Sequence, residues 1–186
     1  MDRTAARAHL RAIRREFARQ YSVFPILPPL AAHIDRAHCV GLYRAMGAEA
    51  DIGPIAERCR ERGIRTALPR LSARDAEMTF VRWSAGDPLV DSGLGFEQPA
   101  RSAAFETPDL ILTPMLGFDR AMNRLGQGAG HYDRYYFNNI KSLRVGIAWS
   151  IQEIPAVPPE PWDMPMDAVC TEMEWICPAN SRMGPQ

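Results

Sequence analysis

The stretch CVGLYRAMGAEADIGPIAERCRERGIRTALP, residues 39–69, decides the fold class of this chain. It begins with a short apolar run at residues 39–43, which is typical of a buried strand. Residues 52–62 then have apolar side chains at helical spacing and are followed by Gly63, a residue that suits a helix C-terminus. Residues 65–68 form a second strand-like run before Pro69. Because a strand–helix–strand order is the usual route to a parallel sheet, this stretch predicts an α/β fold.

The remainder of the chain extends the same pattern. Four further apolar runs predict strands, at residues 78–83, 110–113, 143–148 and 168–171. Three segments predict helices, at residues 2–19, 30–35 and 132–140. Residues 84–105, rich in glycine, proline and aspartate, predict a loop with short extended pieces. Residues 155–165, which include five prolines, predict largely irregular structure. We therefore expect residues 1–186 to form a single three-layer α/β domain, with a central mixed, mostly parallel sheet flanked by helices.

Composition and charge argue against several classes of function. The chain has 186 residues, 46% of them hydrophobic, and a formal net charge of +0, so its bulk charge gives no support to binding of nucleic acid or an anionic membrane. No apolar run approaches the roughly 20 residues that cross a bilayer, and the basic N-terminal segment lacks the apolar core of a secretory signal. The four cysteines include no C-x-x-C pair. We expect a cytoplasmic protein with free thiols, and neither nucleic acid nor membrane as a partner.

Residues 124–133, RLGQGAGHYD, are the strongest functional signal in the chain. We call residues 126–130, which contain three glycines at alternate positions, the glycine loop. A loop without Cβ atoms lets successive backbone N–H groups surround phosphate oxygens, and Arg124 and Asp133 flank it with a guanidinium and a possible magnesium ligand. The spacing matches neither the P-loop nor the dinucleotide fingerprint. The glycines alone fit a phosphate loop and a flexible surface turn about equally well.

A longer run around this loop resembles a known family. GFDRAMNRLGQGAGHYDR, residues 117–134, is similar to the signature F-D-x-x-G-x-R-L-G-x-G-x-G-Y-Y-D of the 5-formyltetrahydrofolate cyclo-ligase family, also called methenyltetrahydrofolate synthetase. Other segments resemble the family in the same order: VGLYRAMGAEADI (40–52), ALPR (67–70), MTFVRW (78–83), PDLILTP (108–114) and WDMPMDAVCTE (162–172). The resemblance implies a monomeric ligase. It would convert 5-formyltetrahydrofolate and MgATP into 5,10-methenyltetrahydrofolate, ADP and phosphate.

The resemblance also implies roles for individual residues. The implied ATP-binding residues are Arg7, Arg11, Arg124, Leu125, Gly126, Gln127, Gly128, Ala129, Gly130, His131 and Tyr132. The implied magnesium ligands are Asp133 and Asp163. The implied folate-binding residues are Glu49, Phe80, Trp83 and Tyr132, with Glu49 accepting hydrogen bonds from the pterin. Arg124 and Tyr132 are the implied catalytic residues.

Some of these residues have a plainer interpretation from the sequence alone. Arg7 and Arg11 lie one helical turn apart and fit a solvated helix face. Phe80 and Trp83 lie on opposite faces of a predicted strand, so at least one of them is expected in the core. Asp163, among prolines, also fits a turn. Asp119 is expected to brace its turn.

The chain departs from the signature at two positions. Met122 stands where the family usually has glycine, and it would be strained if that residue has a positive φ. His131 replaces a tyrosine and could gain charge near pH 6.5. Ala129 lies where some relatives have lysine. These departures keep a second hypothesis open, in which the protein is a non-catalytic or weakly active nucleotide- or folate-binding paralogue.

Overall fold

The structure is a computed structural model that describes residues 2–21 and 23–178. The ends of the predicted domain, residue 1 and residues 179–186, lie outside this described part. Its α-helices are α1 (Arg3–Phe17), α2 (Pro28–Arg36), α3 (Gly53–Glu61) and α4 (His131–Asn138). Its strands are β1 (Cys39–Gly41), β2 (Arg65–Arg70), β3 (Thr79–Arg82), β4 (Leu89–Asp91), β5 (Glu97–Pro99), β6 (Phe105–Glu106), β7 (Leu110–Pro114), β8 (Gly117–Phe118), β9 (Arg124–Leu125), β10 (Leu143–Ile147), β11 (Ala168–Cys170) and β12 (Trp175–Ile176).

Local sequence signals explain where the helices begin and end. The Asp2 carboxylate caps α1 by accepting a hydrogen bond from the backbone N–H of Ala5 at 2.8 Å. Prolines stand in the first turns of α2 and α3, where a missing N–H is tolerated. Gly63 follows α3 with φ of +67°, so a residue without a Cβ suits the turn that leads into β2.

One large sheet organises the chain, and its strand order is β12-β11-β10-β7-β1-β2-β3-β6. The five strands from β11 to β2 are parallel, whereas β12, β3 and β6 are antiparallel to their neighbours. The predicted mixed, mostly parallel sheet is therefore confirmed. Two short hairpins, β4–β5 and β8–β9, lie outside this sheet.

Helices cover both faces of the sheet and complete the predicted three layers. On one face, Leu30 of α2 and Ile55 of α3 pack with Val40 and other strand residues. On the opposite face, Tyr136 of α4 packs with Ile111 and other strand residues. No helix in the described ranges is long and apolar enough to span a membrane.

The helix α1 packs near the carboxyl ends of β7 and β10. Its buried Leu10 belongs to a small apolar cluster with Leu125 and Val157. A Cβ on Gly117, just after β7, would lie 2.6 Å from Leu10 Cδ1, so this position favours glycine for close packing against α1. This contact places the arginine-rich face of α1 beside the edge of the sheet where parallel strands end.

Candidate active site

A cavity of about 510 Å³ opens at the carboxyl ends of β1, β2 and β7. Tyr43, Pro69 and Pro114, which lie at or near those strand ends, line it there. The helix α1, the glycine loop and the segment that carries Asp163 form the other walls. The position is the one where open α/β sheets usually bind ligands, and the volume suits a small organic molecule.

The glycine loop connects β9 to the N-terminus of α4 at the cavity wall. A Cβ on Gly126 would lie 2.7 Å from Arg124 Nη1, and Gly128 has φ of +111°, so both positions favour glycine. Arg7 Nε donates a hydrogen bond of 3.0 Å to the carbonyl oxygen of Gly126. The loop therefore presents its backbone beside a guanidinium and a helix N-terminus, an environment that favours anions.

Arg124 and Asp133 form a buried ion pair beside this loop. Arg124 Nη2 lies 2.7 Å from both carboxylate oxygens of Asp133, and the two side chains are 7% and 11% exposed. The guanidinium carbon of Arg124 also lies 5.8 Å from the centroid of the Tyr132 ring. Arg124 Nε is buried and has no hydrogen-bond partner among the described residues. Arg124 is thus fixed by one carboxylate and retains an unused donor.

Asp163 forms the second arginine–carboxylate pair of the cavity. Arg3 Nη1 lies 2.5 Å from Asp163 Oδ2, and Arg3 Nη2 lies 3.4 Å from Oδ1. The backbone N–H of Glu160 also donates to Asp163 Oδ2 at 2.9 Å. The backbone N–H of Met164 donates to Asp133 Oδ1 at 3.2 Å, which brings the segments that carry the two aspartates together.

The donor set formed by Asp133 and Asp163 fits magnesium bound together with phosphate. Two carboxylates from neighbouring segments are hard oxygen ligands of the kind that Mg²⁺ prefers. The described residues contain no group of three or more acidic, histidine or cysteine side chains that could hold an ion unaided. Because Mg²⁺ commonly takes one or two carboxylates and completes its shell with phosphate oxygens and water, these residues fit a metal–nucleotide complex better than a free ion.

Glu49 also lines the cavity, where it interacts with Tyr43, with Arg14 and with Gln127 of the glycine loop. Its side chain is 9% exposed and its Oε1 lies 3.8 Å from Arg14 Nη1. The backbone N–H of Met46 donates to Glu49 Oε2 at 3.0 Å. Burial raises the pKa of Glu49, although the Met46 hydrogen bond and the charge of Arg14 oppose the shift. Glu49 is therefore a desolvated carboxylate that would gain from further hydrogen-bond donors.

The two residues that begin α4 are both uncharged at neutral pH. Burial raises the pKa of the Tyr132 phenol well above its ordinary value, so it keeps its proton. Burial and then the positive charge of Arg134 lower the pKa of His131 from 6.5. The expectation that His131 gains charge near pH 6.5 is therefore corrected, because Arg134 Nη2 lies 2.9 Å from His131 Nδ1 and disfavours a second positive charge.

Four of the predicted binding residues do not line the cavity. Phe80 is buried and packs edge-on against Tyr135, with ring centroids 5.0 Å apart. Trp83 packs against the core on the other face of the sheet and donates from Nε1 to the carbonyl oxygen of Asp87 at 3.1 Å. Leu125 is buried beneath α1. Arg11 donates to Gln127 Oε1 at 3.0 Å from outside the cavity lining.

Arg3 and Trp162 are among the lining residues that were not predicted from the sequence. Arg3 precedes Arg7 by four residues on α1, and this helical spacing was the signal that could have found it. Trp162 is 65% exposed while lining the cavity. A large aromatic next to the predicted ligand Asp163 was a further signal.

Met122 has the strained backbone that its place in the signature suggested. It is the one non-glycine residue of the described ranges with a positive φ, 67°, and its side chain is buried. Its carbonyl oxygen accepts a hydrogen bond from the N–H of Met166 at 2.9 Å. Asp119 braces the same turn by accepting bonds from the N–H groups of Asn123 and Val157, which agrees with its predicted role.

The fold and this cavity define a three-layer α/β protein with a glycine loop at the carboxyl edge of its sheet. The model of the 5-formyltetrahydrofolate cyclo-ligase family matches residues 2–172. The chain belongs to this family, and it is an enzyme of the ligase class.

Similarities to individual proteins agree with this assignment. The chain is 32% identical over 142 residues to the 5-formyltetrahydrofolate cyclo-ligase of Escherichia coli K12, covering 73% of this chain and 78% of the relative. It is 28% identical to the mouse cyclo-ligase, covering 72% of each. The NMR structure of Aquifex aeolicus 5,10-methenyltetrahydrofolate synthetase superposes with a TM-score of 0.76 at 23% identity, covering 98% of this chain and 95% of that one. That likeness shows the shared fold.

Proposed function

We propose that this protein converts 5-formyltetrahydrofolate to 5,10-methenyltetrahydrofolate in an ATP- and Mg²⁺-dependent reaction that releases ADP and phosphate. The observation that carries the proposal is that one cavity is lined by two chemically different groups of residues. We call Arg7, the glycine loop, Arg124, Asp133 and Asp163 the phosphate wall. We call Tyr43 and Glu49 the folate wall.

The phosphate wall is suited to a nucleotide polyphosphate. Backbone N–H groups of the glycine loop and the guanidinium groups of Arg7 and Arg124 supply hydrogen-bond donors. Asp133 and Asp163 would hold the magnesium ion, which neutralises phosphate charge when bound. Arg124 pairs with Asp133 in the absence of ligand. When a nucleotide and its metal ion bind, the Arg124 guanidinium would leave Asp133 and bind phosphate oxygens.

The folate wall is suited to the pterin ring. An aminopyrimidine edge has two adjacent N–H donors, and the buried Glu49 carboxylate can accept both. Supplying those donors would relieve the desolvation that raises the pKa of Glu49. The protonated Tyr132 phenol lies in the first turn of α4 and lines the cavity, where it could donate a hydrogen bond to the substrate.

The proposed reaction proceeds in two steps. The formyl oxygen attacks the γ-phosphorus of ATP, and the bond from that phosphorus to the β,γ-bridging oxygen breaks and releases ADP. The neighbouring folate nitrogen then attacks the activated carbon, loses its proton, and phosphate leaves with the carbon–oxygen bond electrons. Activation is needed because a formamide oxygen is a poor leaving group. Arg124 and the glycine loop would act by positioning and by stabilising the transferred phosphoryl charge.

We further propose that the chain acts in the cytoplasm as a single monomeric domain. The four cysteines, Cys39, Cys59, Cys170 and Cys177, are free thiols, which suits a reducing compartment.

The test is an assay of methenyl-folate absorbance with 5-formyltetrahydrofolate, ATP and Mg²⁺. We expect absorbance to rise only when all three are present, with one ADP released per product formed. Omission of ATP and chelation of Mg²⁺ are the matched controls. If the protein bound MgATP but gave no product, the non-catalytic paralogue would replace this proposal.

A further inference from the structure

We propose that Arg14 is a positioning residue for folate binding, because it supplies a buried positive charge to the Glu49 carboxylate from outside the cavity. This inference rests on the proposed function, since it takes the ligand of Glu49 to be the pterin of 5-formyltetrahydrofolate. It gives a role to a buried arginine of α1 that does not itself line the cavity.

Arg14 is an arginine that the fold buries almost completely, since its side chain is only 7% exposed. Its Nη1 donates a hydrogen bond of 3.3 Å to the carbonyl oxygen of Met115, and its Nε is buried without a hydrogen-bond partner among the described residues. Burial lowers the pKa of Arg14, the charge of Arg11 adds to that shift, and the charge of Glu49 opposes it. Because burying a guanidinium is costly, the position requires a partner, and Glu49 is the carboxylate beside it.

The geometry makes Arg14 a source of charge for Glu49 without using up its hydrogen-bonding capacity. Arg14 Nη1 lies 3.8 Å from Glu49 Oε1, which is an ion-pair distance and too long for a hydrogen bond. Glu49 Oε2 accepts one hydrogen bond from the backbone N–H of Met46. Arg14 and residues 46–48, the turn before Glu49, also line a second cavity, so the helix and this turn lie together. The carboxylate therefore keeps acceptor sites for donors that enter the active-site cavity.

The titratable groups that face Glu49 from the other elements carry no charge at neutral pH. Burial raises the pKa of Tyr43, which follows β1, and of Tyr132 in α4 well above the ordinary value of a phenol. Gln127 of the glycine loop offers an uncharged amide. The charge of Arg14 opposes the desolvation that raises the pKa of Glu49. Without that charge, Glu49 would take up a proton at a higher pH and lose the ionised carboxylate that the pterin edge requires.

The test is a calorimetric titration of 5-formyltetrahydrofolate without ATP, from pH 6 to 8.5, on the full chain and on Arg14→Met. We expect the variant to bind about tenfold more weakly at pH 6 and less than about twofold more weakly at pH 8.5, because its Glu49 ionises only at higher pH. Arg14→Lys keeps the charge and is expected to recover most of the affinity at pH 6. Arg15→Met is the matched control, since Arg15 is the exposed next residue of the same helix, and its Kd is expected to stay unchanged.

The same substitution in a Glu49→Gln background separates this role from a structural one. The group that responds to Arg14 is then absent, so Arg14→Met is expected to leave the remaining affinity unchanged at every pH. A loss of affinity that does not vary with pH, or an equal loss in both backgrounds, would overturn the inference. Arg14→Gln, which keeps a donor for Met115, is expected to repeat the result and replaces Arg14→Met if that variant does not fold.

The titration also distinguishes this inference from the proposed function. If the unaltered protein bound 5-formyltetrahydrofolate but gave no product with MgATP, the proposed reaction would be contradicted, while the pH-dependent effect of Arg14→Met would still support or overturn the role of Arg14. Absence of any binding of 5-formyltetrahydrofolate would contradict both.

Discussion

On the phosphate wall of the cavity each aspartate is paired with an arginine, whereas on the folate wall Glu49 is buried with far weaker compensation. Arg124 Nη2 lies 2.7 Å from both oxygens of Asp133, and Arg3 Nη1 lies 2.5 Å from Asp163. Glu49 has its nearest guanidinium nitrogen, that of Arg14, at 3.8 Å, and its pKa is raised. One wall is neutralised internally and the other holds a carboxylate in an unfavourable environment.

This difference implies two kinds of ligand recognition. A ligand of the phosphate wall must replace the existing ion pairs with new ones. Its affinity therefore depends on carrying both a cation for the aspartates and an anion for the arginines. A ligand of the folate wall only has to bring further N–H donors to a desolvated carboxylate whose pKa is still raised. Substitutions on the phosphate wall should therefore disturb folding and activity together, whereas substitution of Glu49 should separate the two.

Asp133→Asn tests the phosphate wall and is expected to have the largest effect on turnover. Turnover should fall by about 10²- to 10³-fold, because the variant loses a magnesium ligand and the charge that orients Arg124. The free energy of unfolding should also fall by about 3 kcal/mol, because Arg124 would remain buried without its carboxylate. Turnover is measured from methenyl-folate absorbance and stability from urea unfolding.

The double variant Arg124→Gln/Asp133→Asn provides the control for this prediction. Removing both charges should restore most of the lost stability, since no unpaired ion then remains buried. Turnover should remain low, because the phosphate-binding guanidinium is absent. Full activity in Asp133→Asn would remove Asp133 from the magnesium site.

Glu49→Gln tests the folate wall. It is expected to weaken folate binding without destabilising the folded protein. The KM for 5-formyltetrahydrofolate should rise by about 10- to 100-fold, because hydrogen bonds to a charged acceptor are replaced by weaker ones. The KM for ATP should change little. At pH 7 the variant should be more stable than the unaltered protein, because it no longer buries the Glu49 carboxylate charge, whose desolvation outweighs its attraction to Arg14.

The pH dependence of stability gives an independent measurement at Glu49. Since its pKa is raised from 4.5, the folded state binds more protons than the unfolded state between that value and the folded pKa. The unaltered protein should therefore lose stability relative to Glu49→Gln as the pH rises through the folded pKa. An identical pH dependence for the two proteins would contradict the raised pKa.

The sequence predicted the main strands of the sheet well, because a buried strand is marked by a short local run of apolar residues. The apolar runs at residues 39–43, 110–113 and 143–148 correspond to β1, β7 and β10, with ends that differ by one or two residues. The strands β8, β9 and β12 have two residues each, too few for a periodic pattern, and they were missed. Their positions depend on tertiary pairing, such as that of Gly117 with Leu125.

The candidate site was predictable in part. The residue types of the glycine loop carried its signal, and the structure places that loop on the cavity. The ion pair of Arg3 with Asp163 joins residues 160 positions apart, so no local pattern could reveal it. Phe80 illustrates the converse limit, because an aromatic residue in a strand has the same local pattern whether it faces a ligand or the core.

Met122 tests whether the turn before the phosphate wall is strained. The φ of 67° disfavours any residue with a Cβ, while the buried methionine side chain contributes packing. Both Met122→Ala and Met122→Gly should destabilise the protein by loss of packing. The glycine variant should nevertheless be more stable than the alanine variant by about 1 kcal/mol, since only glycine relieves the backbone strain. Urea unfolding of the two variants measures the difference, and a more stable alanine variant would contradict it.

His131→Tyr, which restores the residue usual in the family signature, is expected to have the smallest effect. Because the pKa of His131 is lowered from 6.5 by burial and by Arg134, the imidazole is neutral at pH 7 and adds no charge to the phosphate wall. The Kd for MgATP and the kcat should therefore stay within about twofold of the unaltered values at that pH.

The lowered pKa of His131 also means that the unfolded state binds more protons than the folded state as the pH falls below 6.5. The unaltered protein should therefore lose stability there, and the tyrosine variant should lose less. Thermal unfolding from pH 7.5 to 5 measures this difference. A weakening of MgATP binding at pH 7 well beyond twofold would show that His131 contacts phosphate as a cation, and the phosphate wall would then hold a positive charge that no carboxylate balances.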